Sequence, residues 1–232
     1  MKETAGLIKK YFSFVKFSHT VFALPFALIG FSLAVESNDY NFSLRLLILI
    51  LLCMVFARNA AMGFNRYADR KFDSLNPRTA SREIPSGKIG IRSAGIFVLI
   101  NASLFIITTA FINRLTLLLS PVALLVILGY SLTKRITALC HFILGLGLSL
   151  APIGAYLAVT GRFDLLPVIY SFIVLTWVSG FDIIYALQDD KFDKENSLYS
   201  IPSLVGRKNA IIISIAVHFV TFILVILARR AS

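Results

Sequence analysis

Two stretches of this 232-residue chain set acids at helical spacing: "NRYADRKFD" (65–73) and "DIIYALQDDKFD" (182–193). Asn65, Asp69 and Asp73 recur every four residues, which on a helix turning about 100° per residue keeps them within roughly 80° of one another. Arg58, seven residues before Asn65, returns to nearly the same face. Asp182, Asp189 and Asp193 are separated by seven and four residues and fall within about 40°. Carboxylates that converge repel one another and take up protons unless a cation offsets them. Mg²⁺ suits such a place: it takes one or two carboxylates, keeps water, and completes its shell with phosphate oxygens. Two acidic helix ends with Arg and Lys beside them therefore suggest a diphosphate held through Mg²⁺.

Taken singly, either motif also reads as a solvated helix end balancing its own Lys and Arg. The match between them argues otherwise. "DRKFD" and "DDKFD" agree at four of five positions, and "IPSG" (84–87) is echoed by "IPS" (201–203) in the following loop. Each motif ends an apolar run, and the two runs lie four apart in order. That is the pattern of an internal duplication aiming two sets of carboxylates at one cavity. Asp182 lies inside its apolar run, where an ionisable group costs about 2.5–3.5 kcal/mol to insert and is a functional candidate for that reason.

The elements that must position these acids are hydrophobic throughout. The chain is 57% hydrophobic and 15% charged, with a mean hydropathy of +0.81, far from the balance of a water-soluble domain. Seven segments are long enough to cross about 30 Å of hydrocarbon, near residues 14–36, 43–65, 91–112, 115–133, 138–160, 165–187 and 208–228. The expected fold is a single all-α domain, a polytopic transmembrane bundle of about seven spans forming two pseudo-repeated four-helix units around a central cavity. The first span lacks a signal-peptide cleavage site and carries His19 and Pro25 inside it.

The formal net charge is +11, but its distribution points to topology. Lys and Arg gather at the N-terminus and in the loops after spans two, four and six, while the alternate loops hold only Arg45, Arg114 and Arg162. The positive-inside rule makes the N-terminus and the acidic-motif loops cytoplasmic. A nucleic-acid role is excluded, because no soluble basic domain exists to carry one. Cys53 and Cys140 have no metal-ligand or disulfide spacing and read as small buried residues. His19, His141 and His218 read as packed, hydrogen-bonded side chains, Lys16 as a snorkelling helix-end cation, and Pro25, Pro121 and Pro152 as sites where spans bend.

With these residues in place, the chain resembles the UbiA-type intramembrane aromatic prenyltransferases, in the 4-hydroxybenzoate polyprenyltransferase-like branch. Asn65–Asp73 and Asp182–Asp193 resemble that family's two aspartate-rich motifs, and "YSLTK" (130–134) its Y-x-x-x-K element. "NPRTASREIPSG" (76–87) and "KFSHTVFALPFALIG" (16–30) are similar to its first loop and its opening helix. The resemblance implies transfer of a polyprenyl chain from an allylic diphosphate to an aromatic acid, most simply 4-hydroxybenzoate in ubiquinone or menaquinone biosynthesis, in a bacterial inner membrane. It implies that Asp69, Asp73, Asp189 and Asp193 hold Mg²⁺, with Asn65 aiding the first pair. Lys134 and Arg58 would contact phosphate oxygens, Tyr130 would orient or donate to them, and Asp182 would steady the cation or position the acceptor. A dihydroxynaphthoate or tetrapyrrole acceptor is the nearest alternative. A cation transporter would need acids at mid-membrane depth on several helices, and a CDP-alcohol phosphotransferase would need one long Gly-containing aspartate signature. Family members usually run to about nine helices, so a chain of seven is expected to be short at its C-terminus.

Overall fold

The computed structural model describes residues 10–231 apart from 12, 16, 38 and 39. The readings of Lys16 and the His19 side chain fall outside the described residues. Helices α1 (Phe17–Glu36), α2 (Leu44–Ala68), α4 (Ile91–Ala110), α5 (Arg114–Thr133), α6 (Cys140–Thr160), α7 (Leu165–Ala186) and α10 (Arg207–Ala231) form the bundle. Six of these are long and apolar enough to cross a membrane, and α1 adds a shorter apolar stretch, Phe22–Glu36. Three short helices, α3 (Arg70–Leu75), α8 (Asp190–Glu195) and α9 (Ile201–Val205), sit at one end. An apolar solvent leaves backbone amides no partner outside the segment, which is why each long apolar run closes into a helix.

Polar residues mark where these helices begin and end. Ser43 and Asn113 accept the backbone N–H of Leu46 and Thr116 and so open α2 and α5. Gly161, with φ of 67°, turns the chain out of α6 in the left-handed region. Asn113 also donates to the carbonyl of Leu157 at 2.8 Å, tying the start of α5 to the end of α6.

The most extensive packing joins α6 to α7, α7 to α10, α2 to α4 and α1 to α6, with α5 lying against α2, α4 and α6. Small residues allow the closest approaches. A Cβ on Gly30 of α1 would lie 1.9 Å from the carbonyl oxygen of Pro152 on α6, and one on Gly145 would lie 2.5 Å from the Leu175 carbonyl oxygen on α7. Between α7 and α10 the contact is polar as well: Ser214 donates to the Gly180 carbonyl at 2.8 Å and Thr221 to Thr176 at 2.8 Å. His218 packs on Gly180 and bonds to Ser214, the packed role its sequence context suggests.

The contact at Gly30 is backbone against backbone and has no room to give. Gly30→Val is expected to separate α1 from α6 and destabilise the bundle by about 1–3 kcal/mol, read as a lower midpoint of thermal inactivation in detergent. A midpoint equal to wild type would show that the approach is slack.

Candidate active site

Both acidic motifs are built the same way, and differently from a single straight helix. The span α2 ends at Ala68, Asp69 stands in the bridge region with φ −86° and ψ 5°, and α3 follows. The span α7 ends at Ala186, Asp189 has φ −112° and ψ 9°, and α8 follows. Each short helix has six residues and carries the second acid, Asp73 or Asp193, whose N–H donates to the carbonyl of the first at 2.8 Å. An asparagine, Asn76 or Asn196, caps each short helix. The expectation of one unbroken acidic helix face is therefore corrected: the helix is interrupted at Asp69 in the first motif and over 187–189 in the second, with the acid in a backbone region common at active sites, and a separate short helix follows.

Every one of the four acids meets a cation. Asp69 accepts from Arg135 at 3.0 Å and from Asn65 at 3.1 Å. Asp73 accepts from Arg82 at 2.7 Å, while its Oδ2 is buried without a hydrogen-bond partner. Asp189 accepts Nε of Arg78 at 3.0 Å, a second bond from the same guanidinium, and Nδ2 of Asn76 at 3.1 Å. Asp193, with no exposed surface, accepts from Ser200 at 2.9 Å and lies 2.7 Å from the ammonium of Lys134.

The pairings of Asp189 and Asp193 cross between the repeats. Asn76 and Arg78 follow the first motif yet bind Asp189 of the second. Lys134 and Arg135, neighbours at the end of α5, reach Asp193 and Asp69 respectively. Lys134 also lies within electrostatic reach of Asp69 and Asp189. Ser197, in the left-handed region at φ 54°, turns the chain so that Tyr199 N–H donates to the Lys134 carbonyl at 2.7 Å. The two acidic ends thus meet around the tip of α5.

Burial pushes the Asp69 carboxyl above the usual carboxylate range, even with Arg135 bonded to it, so this carboxylate favours added positive charge. Burial would also raise Asp189, but Arg78 and Asn76 outweigh it and hold that carboxyl low; Arg78 is raised in turn by Asp189. Among the described residues no three acids, histidines or cysteines form a ready metal cage. The donors nonetheless fit Mg²⁺, which needs only one or two carboxylates beside phosphate oxygens. The unpartnered Asp73 Oδ2, and an Asp193 Oδ1 that has a cation nearby but no hydrogen bond, are oxygens of that kind.

Beneath the acids lies a cavity of about 200 Å³ between α1, α2, α4, α5 and α6. Its walls are apolar and mostly small, including Ala27, Ala57, Ala123, Gly147, Ala151 and Ala155. Arg58 and Tyr130 line its head, on the side of the acidic motifs. From Tyr130 to Thr116 the cavity follows α5 for about 21 Å. Nε of Arg58 is buried without a hydrogen-bond partner, and Tyr130 lies within electrostatic reach of Arg58, Asp69 and Asp182. Cys53 lines the same cavity and Cys140 is buried, both as free thiols.

Asp182, on α7, does not line the cavity but lies within electrostatic reach of Tyr130 at its head, and it does not stand alone. Its Oδ2 lies 2.7 Å from Nδ1 of His141, whose Nε2 accepts the Ile201 N–H at 3.2 Å. The packed, hydrogen-bonded reading of His141 holds, with a carboxylate as its partner.

The profile of the UbiA prenyltransferase family matches residues 23–231. The chain belongs to that family. A 4-hydroxybenzoate octaprenyltransferase of Aliivibrio salmonicida is 33% identical over 190 residues, 81% of this chain and 66% of the relative. One of Photobacterium profundum is 33% identical over 75% of this chain and 60% of its own. The chain therefore spans about two thirds or less of the length of these relatives. The apo structure of a UbiA homologue from Aeropyrum pernix superposes with a TM-score of 0.85 at 36% identity, covering 92% of this chain and 79% of that one. A UbiA homologue from Archaeoglobus fulgidus, solved with DMAPP and Mg²⁺, superposes with a TM-score of 0.80 at 22% identity over 96% and 78%, which shows a shared fold.

Within this UbiA-family bundle, Asn65, Asp69, Asp73, Asp189, Asp193 and Lys134 come together at one end, with Arg58, Tyr130 and Asp182 beside the cavity head. Asn76, Arg78, Arg82, Arg135 and Ser200 belong to the same network and were not singled out from sequence. Arg135 adjoins Lys134, and the others lie in the two loops that echo each other, so the loop repeat was the available signal.

Arg78 fastens the first loop to the second motif. Arg78→Ala is expected to free residues 76–90, giving several-fold faster trypsin cleavage at Arg82 and Lys88 in membranes. Unchanged cleavage would show that the loop is held elsewhere.

Proposed function

We propose that this protein transfers a polyprenyl chain from an allylic polyprenyl diphosphate to an aromatic acid, with 4-hydroxybenzoate the favoured acceptor and quinone biosynthesis the setting. The observation that carries the proposal is the stacking of a charged acidic chamber on an apolar cavity, with Arg58 and Tyr130 at their boundary. A prenyl diphosphate has the same division. Its tail gains roughly 0.8 kcal/mol per CH₂ kept from water, and its head needs cations. The names of the octaprenyltransferase relatives and the DMAPP and GPP bound by the Archaeoglobus fulgidus homologue support the same substrate class.

Asp69, Asp73, Asp189 and Asp193 would hold Mg²⁺, which when bound supplies positive charge to the diphosphate. Lys134 and Arg58 bind the remaining phosphate oxygens, and Tyr130 orients them. Cations fixed around the leaving group stabilise the negative charge that grows as the C–O bond breaks. The diphosphate departs with the bonding pair, the ring carbon beside the phenol hydroxyl attacks the allylic cation, and its proton leaves to a basic oxygen. Asp182 steadies the cation or places the ring, and the apolar walls keep water from the cation. The concentration of Lys and Arg at the acidic end supports a cytoplasmic site in a bacterial inner membrane.

Membranes containing the chain are expected to prenylate 4-hydroxybenzoate in a panel that includes dihydroxynaphthoate, and to stop on removal of Mg²⁺. Asp69→Asn and Asp189→Asn are each expected to lower turnover by at least about 10²-fold while protein levels persist. Full turnover in both variants, or after chelation, would overturn the mechanism.

A further inference from the structure

His141 is buried, with 2% of its surface exposed, in the first turn of α6. It does not line the cavity, and among the described residues it makes no hydrogen bond to the four acids. Its two ring nitrogens face different partners. The Ile201 amide can only donate, so Nε2 is the acceptor at 3.2 Å, and the network assigns the ring proton to Nδ1, 2.7 Å from Asp182 Oδ2. The backbone thus sets the tautomer, and the tautomer sets Asp182. Among the described residues the other oxygen of Asp182, Oδ1, takes no hydrogen bond, and the carboxylate lies within electrostatic reach of Tyr130. The turn that holds His141 is itself fixed: Ser200, next to Ile201, donates to the buried Asp193 at 2.9 Å and closes a capping box with Ser203.

We propose that His141 is a positioning residue for prenyl transfer, fixing one oxygen of Asp182 so that the other stays open within reach of Tyr130 at the cavity head. This rests on the prenyl-transfer reading above. It assigns a function to a buried histidine otherwise read as packing, and it ties the orientation of Asp182 to the turn that also holds Asp193. In metal sites a partner that orients a ligand is worth about 10–100-fold in activity, and an effect of that order is expected for a partner that orients Asp182.

The two ring nitrogens allow the positioning role to be separated from a purely structural one. An asparagine amide nitrogen sits near the place of Nδ1 and keeps the bond to Asp182. A glutamine amide oxygen reaches the place of Nε2 and keeps the bond to Ile201. In membranes supplied with Mg²⁺, an allylic diphosphate and 4-hydroxybenzoate, His141→Asn is expected to keep kcat within about threefold of wild type. His141→Gln and His141→Leu are expected to lose about 10–100-fold in kcat, with KM for the diphosphate unchanged. In an Asp182→Asn background His141→Gln should cost nothing further, because the two residues act as one unit. Wild-type kcat in His141→Leu, or the reverse order with Gln active and Asn inactive, would overturn the proposal. If the leucine variant does not accumulate, the Asn–Gln order alone decides. A wild-type chain inactive towards every acceptor overturns the prenyl-transfer reading and this proposal with it, whereas an active wild type with indifferent variants overturns only the latter.

Discussion

Charge balance at one end of an apolar bundle governs the rest of this structure. Asp193 is wholly buried and Asp73 nearly so, and an uncompensated carboxylate in such a place costs up to about 3–5 kcal/mol when its partner is removed. Lys134 is a third exposed, which places that pair toward the lower end. The bundle meets the demand with Arg78, Arg82, Lys134 and Arg135, drawn from two loops that are distant in sequence. Bringing those cations to the acids is also what brings the two repeats together. Compensation and assembly are the same event.

The pairing is specific and modest in strength. Arg78 and Arg135 are about a third exposed, and exposed ion pairs contribute little to stability. Their value lies in geometry. A guanidinium that holds both oxygens of Asp189 in a bidentate pair fixes a loop of the first repeat against the second. Ser200, Tyr199 and Lys134 do the same between α5 and the second loop. The chamber is therefore assembled by ion pairs: a metal ion would compete for their carboxylate oxygens, and a diphosphate for their cations.

Much of this was legible in the sequence. The apolar runs fix the spans to within a few residues, because lipid allows an apolar segment no other structure. The duplicated "KFD" motifs mark the acids and their common depth. The backbone break at Asp69 and over 187–189 was not legible: helical spacing of the acids continues through both, and only one to three residues leave the helix. Nor were the cross-repeat partners, since Arg78 and Asp189 are 111 residues apart and no local pattern links them. His141 and Asp182, 41 residues apart, show the same limit. Each residue has an ordinary local context, and only the packing of α6 on α7 makes them a pair.

The walls of the cavity have a consequence of their own. Room here is made in part by what the side chains lack: alanine and glycine line facing helices. A vessel formed that way has a depth set one residue at a time. Replacing a single alanine by something larger would raise the floor while leaving every helix, cap and ion pair where it stands. The capacity of the chamber and the machinery at its mouth are thus free to change independently.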